Sequence, residues 1–296
     1  MILKTLKTIL NGFIFGATQI VPGVSGGTIA IIMGFYFELI ETVNNITKNL
    51  RRSLVFLIPL LTGMVLGILI LSSIINFLLT YYSFPTMLFF TGLICGIIPH
   101  LFSKTREAGR KFNVRDLLLI ILPFFVIVII SFLRPEQTRS PEAIIETIGF
   151  PYILFIFFAG IVSAAALIIP GLSGSIVLLL LGVYHLAIYS VSSLRYWFAD
   201  ISNLELFLNI CKVMVPLGAG ILIGIFLTAK LIGRLVQNHQ RALYLLMLGL
   251  LSGSVIVLLF ETLMYQNNMQ TIVILTGIAA LVMGILLSFK TGKNRL

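Results

Sequence analysis

The sequence predicts an all-helical polytopic membrane protein built from two related halves inserted in opposite directions. Three observations predict it. The composition is too apolar for water, a Pro-Gly-x-Ser-Gly motif recurs in each half, and the basic residues gather in alternate loops.

Composition comes first. Of 296 residues, 59% are hydrophobic and only 10% are charged. A soluble domain carries roughly 25% charged residues. The mean hydropathy is +1.12. Lipid must be the solvent for most of this surface. Several uncharged runs exceed the roughly 20 residues that span a bilayer. The net charge of +10 would suggest nucleic acid in a soluble protein. Here the cations lie between apolar runs, which points to membrane orientation. Cys95 and Cys211 sit far apart with no metal or disulfide spacing, and no cofactor or nucleic-acid motif is present. The opening MILKTLK followed by an apolar run resembles a secretory leader. It belongs instead to the first copy of an internal repeat.

That repeat aligns residues 20–40, IVPGVSGGTIAIIMGFYFELI, with residues 168–188, IIPGLSGSIVLLLLGVYHLAI. Eight of 21 positions are identical at an offset of 148, among them Pro22, Gly23, Ser25, Gly26, Gly34 and Tyr36. Downstream, Pro59, Gly63, Gly67, Gly92 and Gly96 match Pro216, Gly220, Gly224, Gly249 and Gly253 at an offset of 157. Matched Pro and Gly in one order mark a duplication, a common transporter device.

The expected organisation follows. Residues 1–133 form a first membrane repeat, with a hairpin over 8–40 and spans over 54–79, 85–103 and 117–133. Residues 134–148 form an external linker. Residues 149–296 form a second repeat, with a hairpin over 149–192 and spans over 212–229, 242–260 and 271–289. Thirty uncharged residues separate Lys7 from Glu38, too few for two full spans, so the first hairpin reads as re-entrant. Forty-eight separate Glu146 from Arg195, which leaves the depth of the second open.

Orientation follows from charge. The N-terminus, the loops around 48–52, 104–115 and 230–241, and the C-terminus hold 16 of the 20 Lys and Arg. Arg134, Arg139, Arg195 and Lys212 fall on the other side. Cytoplasmic loops carry excess Lys and Arg, so both termini are expected inside. The first hairpin then starts and ends inside, and the second starts and ends outside. Tyr81, Tyr82, Tyr196 and Trp197 suit the outer interface.

Each motif breaks a helix at membrane depth. Pro22-Gly23 and Pro170-Gly171 are the expected helix breaks. Irregular backbone at that depth needs surrounding protein or a water-filled cavity. Each loop opens a following helix, whose first N–H groups lack partners and carry partial positive charge. Ser25, Gly26, Gly27 and Thr28 on one loop, and Ser173, Gly174 and Ser175 on the other, form an expected anion site suited to phosphate or carboxylate. A pair of tight helix-packing contacts is the alternative reading. It explains the glycines but not the prolines and hydroxyls.

Other polar residues weigh less. Glu38, one turn from Glu41, is a candidate coupling acid, although snorkelling to the inner interface is the simpler reading. Gln19 is a candidate cavity residue. His185 suits an interface. Lys48, Arg51 and Arg52 suit lipid headgroups, and orientation alone accounts for them.

The paired loops VPGVSGGTIAIIMGFY and IIPGLSGSIVLLLLGVY resemble the signature of the bacterial polyprenyl-phosphate transporter family of the PopT type, over essentially the whole chain. The resemblance implies no enzyme activity. It implies a flippase that returns undecaprenyl phosphate, the lipid carrier of cell-wall biogenesis, to the cytoplasmic face of the cytoplasmic membrane. The partners it implies are the polyprenyl-phosphate lipid and the membrane lipids. Two rivals remain at this stage. A small-anion or carboxylate transporter would use the same cage. An integral membrane polyprenyl-pyrophosphate phosphatase would need acid–base groups, and neither loop contains a charged residue or a histidine.

Overall fold

A computed structural model describes residues 2–19, 21, 24–106, 112–133, 141–264 and 271–295. Those residues form thirteen helices and no strand. In the first half, α1 is Ile2–Thr18, α2 Gly26–Ile32, α3 Tyr36–Asn44, α4 Leu50–Tyr81, α5 Ser83–Arg106 and α6 Val114–Phe132. A short α7, Pro141–Glu146, lies in the expected linker. Then follow α8 Phe150–Ile168, α9 Gly174–Leu180, α10 Tyr184–Ala199, α11 Leu204–Asn238, α12 Gln240–Met264 and α13 Thr271–Arg295.

Seven helices (α4, α5, α6, α8, α11, α12 and α13) are long and apolar enough to cross a membrane. Large apolar side chains stand exposed along them, such as Leu69, Leu122, Leu222 and Leu286, each above 60%. Such a surface is stable only against lipid. The chain is a polytopic membrane protein. Five of the six expected spans lie inside one helix each, and 117–133 runs one residue past the end of α6. α4 and α11 overrun theirs, because helix propensity continues past the apolar run into polar flanks. Pro59, Pro99, Pro123 and Pro216 lie within continuous helices.

Each motif arm is broken a second time. After α2 the chain turns by 116° into α3, and after α9 by 108° into α10. The turns are closed by Gly34 (φ 72°) and Gly182 (φ 70°), a conformation that L side chains rarely adopt. The Phe35 N–H donates to the Ala30 carbonyl at 3.0 Å and the Gly34 N–H to Ile31 at 2.9 Å. The Val183 N–H donates to Leu178 at 2.9 Å and the Gly182 N–H to Leu179 at 3.0 Å. Both breaks are therefore Schellman caps, which satisfy the last carbonyls of each short helix. The repeat identity at Gly34 was the sequence signal for this break. The expected helix breaks at Pro22-Gly23 and Pro170-Gly171 do not include it.

The described residues fall into two compact units that interleave in sequence. The first contains Met1–Ile129, Ile169–Leu172 and Ala229–Leu296. Here α1 packs on α4 and α5 on α13 with their backbones in contact. A Cβ on Gly63 or Gly67 would overlap the carbonyl oxygen of Ile9 or Phe13, and one on Gly92 that of Leu281. Gly249 is equally tight against Ile120 of α6. Small residues permit such approaches in membranes. At the polar end of α6, Asp116 pairs with Arg241 of α12 at 2.8 Å, and both side chains are under 20% exposed. Asp116 also accepts the Asn113 N–H at 3.1 Å, capping the helix. The Asn44 amide of α3 donates to the Ala229 carbonyl at 2.9 Å.

The second unit contains Ile130–Ile168 and Ser173–Thr228. Its core joins Ile145, Ile156, Val183, Leu186 and Val213. Gly220 sits against the Phe157 carbonyl of α8, so a Cβ there would overlap it. The repeated glycines therefore occupy the same kind of close helix contact in both halves.

Candidate functional site

The first motif leads from α1 into α2. Pro22 and Gly23 lie outside the described residues. Ser25 has the extended backbone of an N-cap (φ −83°, ψ 135°), but its hydroxyl does not cap α2. Ser25 Oγ donates instead to the Ile169 carbonyl at 3.2 Å. One turn on, the fully buried Thr28 Oγ1 accepts the Gly171 N–H at 2.9 Å. The two motifs, about 145 residues apart in sequence, are thus joined by two hydrogen bonds.

The second strand of this junction is held from behind. Ser254 of α12 donates to the Gly171 carbonyl at 2.5 Å and to its own helix at Leu250, at 3.0 Å. Pro170 and Gly171 are buried, and Gly171 takes φ 89°. A Cβ there would approach the Leu250 carbonyl carbon to 2.8 Å. Ile169 and Leu172 pack on Ile127, Leu250 and Val257. Both peptide groups of Gly171 are therefore satisfied by side chains. This matters because an unpaired buried backbone group costs about 1–3 kcal/mol.

The first backbone bond of α2 runs from the Ile29 N–H to the Ser25 carbonyl at 3.2 Å. The amides of Gly26, Gly27 and Thr28 precede it, and all three residues are buried. Gln19 donates from Nε2 to the Phe15 carbonyl at 3.2 Å. Its amide covers the start of α2, where a Cβ on Gly26 would meet Nε2 at 2.9 Å.

In the second unit, α9 begins in the same way, with the Val177 N–H donating to the Ser173 carbonyl at 3.2 Å. Ser173 and Ser175 Oγ lie 2.8 Å apart in a hydrogen bond, and Ser175 is exposed. Gly174 is buried against α8, where Ser163 Oγ donates to its carbonyl at 2.9 Å. The two loops differ in this respect. Hydroxyls of the first bond across to Ile169 and Gly171, whereas those of the second bond to one another.

Glu38 lies on α3, away from these helix starts in sequence, and pairs with Lys4 Nζ at 3.1 Å. Ser163 and Ser254, which hold the loops, were missed by sequence reasoning. A lone serine in an apolar helix usually bonds its own backbone, so neither stands out in the sequence.

A family model described as undecaprenyl phosphate translocase-like matches residues 15–274, which include both motifs and Ser254. The chain belongs to this translocase-like family. Within it, a polyprenyl-phosphate transporter of Staphylococcus aureus is 30% identical over 248 residues, 83% of each chain. One of Vibrio cholerae is 28% identical over 263 residues, 84% of this chain and 76% of the relative. No solved structure matches the chain.

Proposed function

We propose that the chain carries undecaprenyl phosphate, or a closely related polyprenyl phosphate, across the bacterial cytoplasmic membrane for reuse in cell-wall synthesis. Membership of the translocase-like family and the printed names of both relatives support a transporter rather than an enzyme. The observation that carries the mechanism is the junction of the two repeated motifs through Ser25–Ile169 and Thr28–Gly171.

A bare phosphate at the bilayer centre carries an idealised desolvation cost of order 20 kcal/mol. Helix N-termini offset this with fixed N–H donors and no buried counter-charge. In our reading the headgroup is cradled by the amides of Gly26, Gly27 and Thr28 from one loop, and by Ser173, Gly174 and Ser175 from the other. Binding exchanges the Ser25 bond for one to phosphate, and the polyprenyl tail stays in lipid. Replacing both Ser25 and Ser173 by leucine should reduce polyprenyl-phosphate translocation in proteoliposomes at least tenfold. Unchanged translocation by a monodisperse double variant would reject the cradle.

The halves are proposed to run antiparallel, with 1–133 and 149–296 as inverted repeats and both termini cytoplasmic. The matched helix order, the matched Schellman breaks and the 16 of 20 basic residues on one side support this. In a background lacking Cys95 and Cys211, Asp200→Cys should react with an impermeant maleimide in intact cells. Lys48→Cys should react only after permeabilisation. Labelling of both from the same side contradicts the inversion.

A further inference from the structure

A cavity of about 240 Å³ lies in the first unit among α1, α3 and the start of α4. It is apart from the loop junction and plays no part in the proposed cradle. A water molecule's share of liquid volume is about 30 Å³, so the occupant is larger than a bare ion.

Its lining is unusual in one way. Four hydroxyls face it, from Thr5, Thr8, Thr42 and Ser53, and the last three have their protons committed to backbone carbonyls. Thr8 donates to Lys4 at 3.0 Å, Thr42 to Glu38 at 2.6 Å, and Ser53 to Thr42 at 3.1 Å. What these groups can still offer a ligand is lone pairs. These lone pairs and the side-chain carbonyls of Asn45 and Asn49 give the wall acceptors for a ligand with several N–H donors. Four charged residues also line it. Lys4 and Glu38 neutralise one another. Glu41 and Arg52 line the same cavity without an ion-pair partner among the described residues. One unpaired anion and one unpaired cation together fit a zwitterion.

The rim says which kind. Leu50 and Val55 of α4 and Leu3 and Leu6 of α1 are each more than half exposed. Val55 itself lines the cavity, and exposed apolar side chains on these two helix starts suit acyl tails. The second repeat supplies a contrast. Its cavity between α10 and α11 measures about 100 Å³. At the repeat offsets, Tyr189 replaces Glu41 and Asn209 replaces Arg52, so the Glu41 and Arg52 pair has no counterpart at those two positions.

We infer that this cavity binds the headgroup of an amine-bearing zwitterionic phospholipid, with its ammonium at Glu41 and the acceptor wall, and its phosphate at Arg52. The site is distinct from the transported lipid's, because a polyprenyl phosphate has no amine.

Native mass spectrometry of the delipidated full chain tests this with dioleoyl phosphatidylethanolamine, phosphatidylcholine and phosphatidylglycerol as probes. The ethanolamine lipid should be retained about tenfold better than the other two. Glu41→Gln should bring its retention to within about twofold of the choline lipid's. Arg52→Gln should weaken both while keeping their ratio. Both residues are exposed, so the variants should match the parent in thermal unfolding, which is measured alongside. Equal retention of the three lipids, or an undiminished preference in Glu41→Gln, would overturn the site. Displacement by free phosphoethanolamine at the lipid's own concentration would overturn the lipid as occupant. Translocation is not the readout, so failure here leaves the transport proposal standing.

Discussion

A Gly63→Leu chain should not accumulate as folded, monodisperse protein. Gly63 of α4 faces the Ile9 carbonyl of α1, and Gly12 and Gly16 of α1 face the carbonyls of Leu60 and Met64 in return. The obstruction on each side is backbone, which cannot rotate away as a side chain can. Overpacking of a side-chain core typically costs about 1–3 kcal/mol. Here the whole α1–α4 contact must separate, so the loss lies at or above that upper limit. It removes packing along the helix that delivers the first motif. Gly218→Leu on α11 is the control, since no heavy atom lies within 4 Å of a Cβ at that position. Size-exclusion yield in detergent should fall severely for Gly63→Leu and stay near the parent's for Gly218→Leu. Equal yields would mean that the α1–α4 contact is not a close one.

Thr28→Val should have the next largest effect, through a single oxygen. Valine fills the same volume, so packing around this fully buried position is kept. What is lost is the acceptor for the Gly171 N–H. That amide is also buried, so the penalty is that of an unsatisfied donor, about 1–3 kcal/mol. Thr28→Ser keeps the oxygen and should recover most of it. Ser254→Ala removes the donor to the other side of the same peptide. The double variant Thr28→Val with Ser254→Ala should therefore deviate from additivity, because both changes act on one loop conformation. Thermal unfolding in detergent measures all four. Additive, small losses would indicate that the loop is held by Ile169 and Leu172 packing alone.

Much of the fold was legible because lipid imposes simple rules. Uncharged runs long enough to cross appear as α4, α5, α6, α11, α12 and α13, with α11 extending eight or nine residues beyond its expected limits at each end. The motif loops were legible from Pro and Gly, which interrupt helices for local reasons. The Schellman breaks at Gly34 and Gly182 were legible in principle, since left-handed glycine is a local requirement, but one glycine inside an apolar run is a weak signal. For the motif hydroxyls, the sequence shows the residue types but not the partners they take. Ser25 was expected as a donor to ligand, and its proton goes to Ile169. Thr28 was expected as a donor, and it acts as the acceptor for Gly171.

By itself the sequence determined the solvent, the spans, the duplicated motif and the places where helices must break. Each depends on hydropathy or backbone preference within about twenty residues. Tertiary structure alone decided that α5 packs on α13 and that α12 receives α6 at Gly249, because any glycine face in lipid can receive any other. It also decided which partner each hydroxyl takes. A serine or threonine proton in an apolar medium goes to whichever acceptor the fold brings within reach. For Ser25 that acceptor is the Ile169 carbonyl, next to the other copy of the motif.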